Sequence, residues 1–207
     1  MKKDLPVIFL AFANEQHEGR YLSKIIEEYK QLYGILRAIA SNESARSSEE
    51  MLCELVVRQN VTIGEIIDVF QNPLYKDRIA IFHYGGHADG YQLLLEGKDG
   101  QSQVAQGEGL VPLLGRRKSL KLVFLNGCST QQLAHDLVER GVPAVIGTSA
   151  SISDDTALML SKRFYQGLAK GFTMAGAWEE AKDEVKMFKD PKKELRGIRR
   201  RDEQGGR

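Results

Sequence analysis

Apolar runs of strand length, too apolar to leave one face in water, alternate along this chain with segments of helical period. The runs are Val7–Ala13, Leu32–Ala38, Arg78–Tyr84, Leu120–Asn126 and Pro143–Ser149. A strand that is apolar on both faces belongs in a parallel sheet covered on both sides. Between the runs, Arg20–Lys30 places Leu22, Ile25, Ile26 and Tyr29 on one stripe, and Ser48–Gln59 and Thr62–Phe70 behave likewise. A further helix is expected to start on a capping box at Ser129-Thr130-Gln131-Gln132 and to stop at Arg140-Gly141. Asp154–Lys170 and Thr173–Lys189 complete the helices, with an edge strand at Tyr91–Leu95 and a short helix at Leu110–Leu114. The pattern predicts an α/β fold, a three-layer α-β-α sandwich with a mostly parallel central sheet.

Length and composition agree with one such domain. A chain of 207 residues, 42% of them apolar, buries roughly 70% of its unfolded surface, enough for a core without disulfides or a structural metal. No run of about 18 apolar residues occurs, so no membrane span is expected. Lys2 and Lys3 before an apolar stretch imitate a secretory signal, but Asp4, Pro6 and the strand formers Val7, Ile8, Phe9 and Phe12 favour a buried first strand. The expected location is therefore the cytoplasm, with both cysteines as reduced thiols. Charge is uneven: residues 191–207 hold seven basic and three acidic side chains in a chain of net charge +1. With glycines among those charges and no aromatic to stack on a base, residues 190–207 read as a flexible tail or linker behind a domain at 1–189, and no nucleic-acid partner is expected.

Two strand ends carry the chemistry. The run Ile79–Tyr84 enters Gly85-Gly86-His87-Ala88-Asp89-Gly90, and Leu122–Asn126 enters Gly127-Cys128-Ser129-Thr130. In open α/β sheets, chemistry gathers beyond the carboxyl ends of the strands. If the two strands are neighbours, about 4.8 Å apart, a thiol and an imidazole share one cleft. A helix starting near Ser129 is expected to aim its positive end at the Cys128 sulfur and favour the thiolate. His87 can then move a proton, and the backbone N–H groups of Ala88 and Cys128 can hold an oxyanion. The glycines at 85, 86 and 127 are expected to let substrate approach the backbone. That combination points to acyl transfer through a thioester, as in peptide-bond hydrolysis.

Other cysteines and histidines read as structural. Cys53 is expected as an inert thiol inside the helix Ser48–Gln59, His83 as a core residue, and His17 and His135 as surface residues. Rival motifs fail on spacing. A Cys-x5-Arg loop would need arginine at Ala134, a phosphate loop would need lysine at Tyr91, and a dinucleotide fingerprint at Gly107-Glu108-Gly109 would need glycine at Pro112. Gly147-Thr148-Ser149-Ala150-Ser151 lacks the last glycine of a serine-nucleophile elbow, and His83 and His87 straddle a strand end rather than a zinc-binding helix. Neither a cofactor nor a metal is expected.

Four blocks together resemble the CHAT domain, a caspase-like group of cysteine peptidases related to separase, gingipain and metacaspases. They are Phe9-Leu10-Ala11-Phe12-Ala13-Asn14, His83-Tyr84-Gly85-Gly86-His87, Leu122–Thr130 and Val142–Thr148, and the likeness runs from about Pro6 to Lys186. The resemblance implies a caspase-like sandwich with His87 as catalytic histidine and Cys128 as nucleophile. It also implies that Asp154 lines a pocket for a basic side chain preceding the scissile bond (P1); the bottom-up alternative for Asp154 is a helix N-cap. The family usually has glycine after the histidine, and Ala88 departs from that, since alanine resists positive φ. A protein or peptide substrate and a regulatory partner or neighbouring domain, in bacterial signalling or defence, follow from the same likeness. Two other readings stay open: an inert CHAT-like interaction module, and a nucleotide-handling α/β signalling domain. Faster alkylation of Cys128 than of Cys53 distinguishes a peptidase from a module.

Overall fold

The computed structural model describes residues 5–14, 22–40, 53–97, 101–149, 151–188 and 197–200. Its centre is a six-stranded sheet containing β1 (Val7–Phe12), β2 (Glu54–Arg58), β3 (Ile79–Gly85), β7 (Leu122–Asn126), β8 (Ala144–Gly147) and β9 (Gly197–Arg200). The order is β2-β1-β3-β7-β8-β9, and every pairing is parallel except β8 with β9. A hairpin unit of β4 (Ala88–Asp89), β5 (Gln92–Glu96) and β6 (Ser102–Gln106) forms a second, antiparallel sheet.

Alternation along β1 shows how the layers are cemented. Val7, Phe9 and Ala11 join one buried cluster, with residues of α2 (Ile63–Gln71), α3 (Gly107–Gly115) and α4 (Gln131–Glu139). Ile8, Leu10 and Phe12 join the other, with α1 (Ile25–Ala40), α5 (Asp154–Ala169) and α6 (Met174–Met187). Period-two alternation feeds both faces of one strand into two apolar layers, which is why the run carries no polar residue. This is the expected α-β-α sandwich with a mostly parallel sheet.

Two expected elements exchange their type. Leu32–Ala38 lies inside α1, because the stripe begun at Ile25 continues through Leu32 and Leu36, both buried, with no breaker before Gly34. Within Ser48–Gln59, the residues Glu54–Arg58 form β2 against β1, and residues 48–52 lie outside the described part. Alternation decides it: Val56 packs toward the α2 side while Leu55 and Val57 pack toward the α1 side. Cys53 accordingly precedes a strand instead of sitting in a helix, buried, and burial pushes its thiol above the ordinary value. Gly197–Arg200, within the segment expected as a tail, supplies β9.

Candidate active site

The register fixes the site. β3 pairs with β7 up to Gly85 opposite Asn126, so His87 and Cys128 each stand two residues beyond the last paired position of neighbouring strands. Both line one small cleft, open to solvent, with Glu28, Asn126, Ile152 and Asp154 in its walls. His87 and Cys128 are each partly exposed. The two turns interlock: a Cβ added at Gly127 would stand 2.7 Å from the Ala88 Cβ and 2.9 Å from the Gly86 oxygen. A Cβ at Gly86 would stand 2.5 Å from the Tyr84 hydroxyl. These glycines let the chain's own segments close on one another, and Gly86 and Gly127 also line the cleft.

Below His87, the buried Tyr84 hydroxyl lies 2.6 Å from the His87 carbonyl and 2.5 Å from that of Leu94. Burial holds this phenol above its ordinary pKa, so it stays a donor. The Leu94 N–H also donates to the His87 carbonyl, at 3.0 Å, which makes His87 and Leu94 a hydrogen-bonded pair. The next pair, Ala88 with Leu93, is then non-hydrogen-bonded, and the Ala88 N–H points away from β5. A Cβ at Gly127 would lie 3.4 Å from that nitrogen, so it is on the Cys128 side. Ala88 does not adopt positive φ, and the left-handed backbone sits instead at Ser129, φ 52°.

The Cys128 surroundings differ from expectation. The sulfur lies 3.5 Å from the Ser151 hydroxyl and 4.0 Å from the Ile152 carbonyl. Helix α4 begins at Gln131 with Thr130 as N-cap and no side-chain capping bond, so neither a capping box nor a helix start at Ser129 forms. The Thr130 hydroxyl is committed elsewhere, accepting from the Thr148 N–H at 2.9 Å, while the Thr148 hydroxyl donates to the Gly127 carbonyl at 2.5 Å. The end of β8 thus takes the capping group and ties down the cysteine turn. Asp154 lines the cleft as the first residue of α5, and the cap is Ser153, whose hydroxyl accepts from the Thr156 N–H at 3.3 Å. His135 lies on α4 within ion-pair reach of Asp136 and Glu139, and His17 is outside the described residues.

A buried polar chain behind the cleft was not expected from the sequence. Glu28, on α1, is 4% exposed and accepts a hydrogen bond from the Asn126 Nδ2. His83, fully buried as anticipated, sets Nε2 3.4 Å from the Glu28 Oε1, short of hydrogen-bond geometry, and Nδ1 3.3 Å from the Tyr165 hydroxyl. Burial, with the charge of Glu28 added, keeps the Tyr165 phenol well above its ordinary pKa. The Asn126 Oδ1 is buried without a partner, and an unmet buried acceptor costs about 1–3 kcal/mol. One signal pointed here: Glu28 falls three residues after Ile25 and four before Leu32, on an apolar helical stripe where a carboxylate needs a reason.

A sheet whose parallel strands deliver a thiol and an imidazole to one rim cleft, between two helical layers, defines a caspase-like α/β protein. The chain belongs to the CHAT domain family, whose model matches residues 3–197. Among solved structures it is similar to the Drosophila initiator caspase Dronc, with TM-score 0.58 and 10% identity over 97% of this chain and 81% of that one. It is also similar to a secreted C11 cysteine protease from Bacteroides thetaiotaomicron, solved with an irreversible peptide inhibitor, with TM-score 0.55 and 11% identity. That match covers 87% of this chain but 58% of the protease. No curated protein matches the sequence. Among the described residues, no helix is long and apolar enough to cross a membrane.

Proposed function

We infer that this chain is a cysteine endopeptidase in which Cys128 is the nucleophile and His87 the proton carrier. The observation that supports this most is the equal offset of the two residues beyond the Gly85–Asn126 pair, on turns that line one cleft. His87 takes the Cys128 thiol proton as the sulfur attacks the scissile carbonyl carbon, and charge collects on the carbonyl oxygen, which the Ala88 and Cys128 N–H groups stabilise. Collapse of that intermediate breaks the C–N bond while His87 gives its proton to the departing amine. Water then adds to the thioester with His87 as base, releasing the acid and returning the thiol. Asp154, on the cleft wall, is the residue we assign to a basic P1 side chain. The likeness to the family adds control by a partner or neighbouring domain, in cytoplasmic bacterial signalling or defence.

Fluorogenic peptides bearing Arg, Asp or Leu at P1 test the reading. Cys128→Ala and His87→Ala are each expected to lower kcat/KM by about 10³-fold or more with unchanged circular dichroism. His83→Ala abolishing cleavage while His87→Ala leaves it intact would overturn the assignment. Equal alkylation rates for Cys128 and Cys53 would favour an inert module.

A further inference from the structure

We propose that the outer edge of β6 accepts an added strand from a partner protein: an extended segment that sends apolar side chains between α2 and α3 and brings a carboxylate to Arg116. The seat lies apart from the catalytic cleft, since none of the residues lining one lines the other.

Hydrogen-bond parity shows that this edge is open. The Leu94 N–H turns to the His87 carbonyl and the Glu96 N–H to the Val61 carbonyl, both at 3.0 Å, so Leu93 and Leu95 turn the other way, toward β6. Their partners are Ala105 and Gln103, which makes these the hydrogen-bonded pairs. Ser102 and Val104 therefore turn both N–H and C=O outward, and neither has a backbone partner on that side among the described residues. The strand, Ser-Gln-Val-Ala-Gln, carries no charge, and an uncharged open edge is a template for another strand.

Beside the edge lies a groove of about 370 Å³, the size of a binding pocket and too large for a packing void. Its walls include Ile66 and Ile67 of α2 and Leu110 and Leu113 of α3. A Cβ added at Gly109 would meet nothing within 4 Å, so the α3 wall is open. Val104 and Ala105 both line the groove although their side chains stand on opposite faces of β6, which places the opening at the strand's edge. An added strand thus sends every second side chain into the groove while its backbone pairs with Val104.

Charge selects the occupant. Arg116 is the one charged residue lining the groove, exposed and without a carboxylate partner among the described residues. Arg117 beside it faces the Phe70 ring, 5.4 Å from its centroid, and Lys118 and Lys121 are exposed. A second copy pairing through β6 brings no carboxylate from that strand, whereas an acidic segment of another protein answers the cation and is steered to it.

The test measures fluorescence anisotropy of the full chain with a labelled peptide, Ser-Ile-Thr-Leu-Thr-Val-Glu-Glu, which alternates apolar residues and ends in carboxylates. Saturable binding below about 100 μM is expected. Val104→Pro removes the outward N–H and leaves the bonds of Gln103 and Ala105 to β5, so affinity should fall about three- to tenfold with an unchanged thermal midpoint. Arg116→Glu should weaken binding about fivefold, and a peptide ending in Lys-Lys should recover it. Two N-methylated peptides, one methylated at the Ile, Leu and Val amides and one at the Thr amides, decide the matter even if Val104→Pro does not fold. An added strand pairs through one set only, so one peptide should lose binding and the other stay within about threefold of the parent. Equal loss in both, no binding at about 1 mM, or full binding by Arg116→Glu overturns the proposal. So does a parent chain that dimerises in light scattering and becomes monomeric on Val104→Pro, since the edge would then be taken by a second copy.

Discussion

Ser129 holds φ at 52° immediately after Cys128, a conformation that costs an L-residue roughly 1–2 kcal/mol. It persists because both flanks are fastened to the end of β8, Gly127 through its carbonyl and Thr130 through its hydroxyl. Ser129→Gly removes the strain but loses more chain entropy on folding, so its expected effect is a gain below about 1 kcal/mol. Ser129→Val should lose about 1–2 kcal/mol or more, since a β-branched residue suits this region least. Thermal melts of the three proteins check this, and a Val variant as stable as the parent would show that the turn is not strained. The site was legible in the sequence to the extent that its parts are local: His87 and Cys128 follow apolar runs through glycines that can be read in order. Glu28 was not, because its partner Asn126 is 98 positions away and only the packing of α1 across the sheet joins them.

Among the elements, α1 and β2 show where periodicity misleads. Leu32–Ala38 is as apolar as a strand but extends a stripe already begun, whereas residues 54–58 are too few to tell a short strand from the end of a helix without the partner β1. Elements with a local stop, such as β3 and β7 before their glycines, were legible. The α5–α6 pair carries a test of its own. Arg163 donates to both carboxylate oxygens of Glu184, at 2.6 and 2.9 Å, and this hydrogen bonding holds the Glu184 carboxyl below its ordinary pKa. A depressed folded-state pKa contributes stability above the unfolded value, and that contribution is lost as pH falls through the folded one. Both side chains are partly solvated, which limits the pair to about 1 kcal/mol, or about 2–4 °C in a chain of this size. Glu184→Gln should therefore melt slightly lower at pH 7, and the gap should close below about pH 4, near and under the ordinary glutamate value. A gap that widens in acid would refute the assignment.

At the scale of the whole molecule, the sheet has two edges managed in different ways. β2 ends one side with Glu54 and Arg58 at its termini, and Glu54 is bound to Arg78 at 2.9 Å. Charges on an edge strand discourage pairing with another chain. β8 has no such protection: Ala144, Val145, Ile146 and Gly147 are all buried and uncharged, and their outer hydrogen-bonding groups are met by antiparallel β9. The sequence of β9, with two arginines in four residues, makes a poorer template for further strands than β8 itself. A chain ended after residue 188 should thus expose a flat apolar edge beside the cysteine turn, which β8 fastens through Thr148. Its expected behaviour is a lower thermal midpoint and self-association at micromolar concentration, read by light scattering coupled to size-exclusion chromatography. If β9 matters only as an edge cover, replacing Arg199 and Arg200 with Thr keeps the midpoint, because the backbone pairing remains. A shortened chain that stays monomeric and melts where the parent does would show that β8 needs no cover, and that the sheet is complete at five strands.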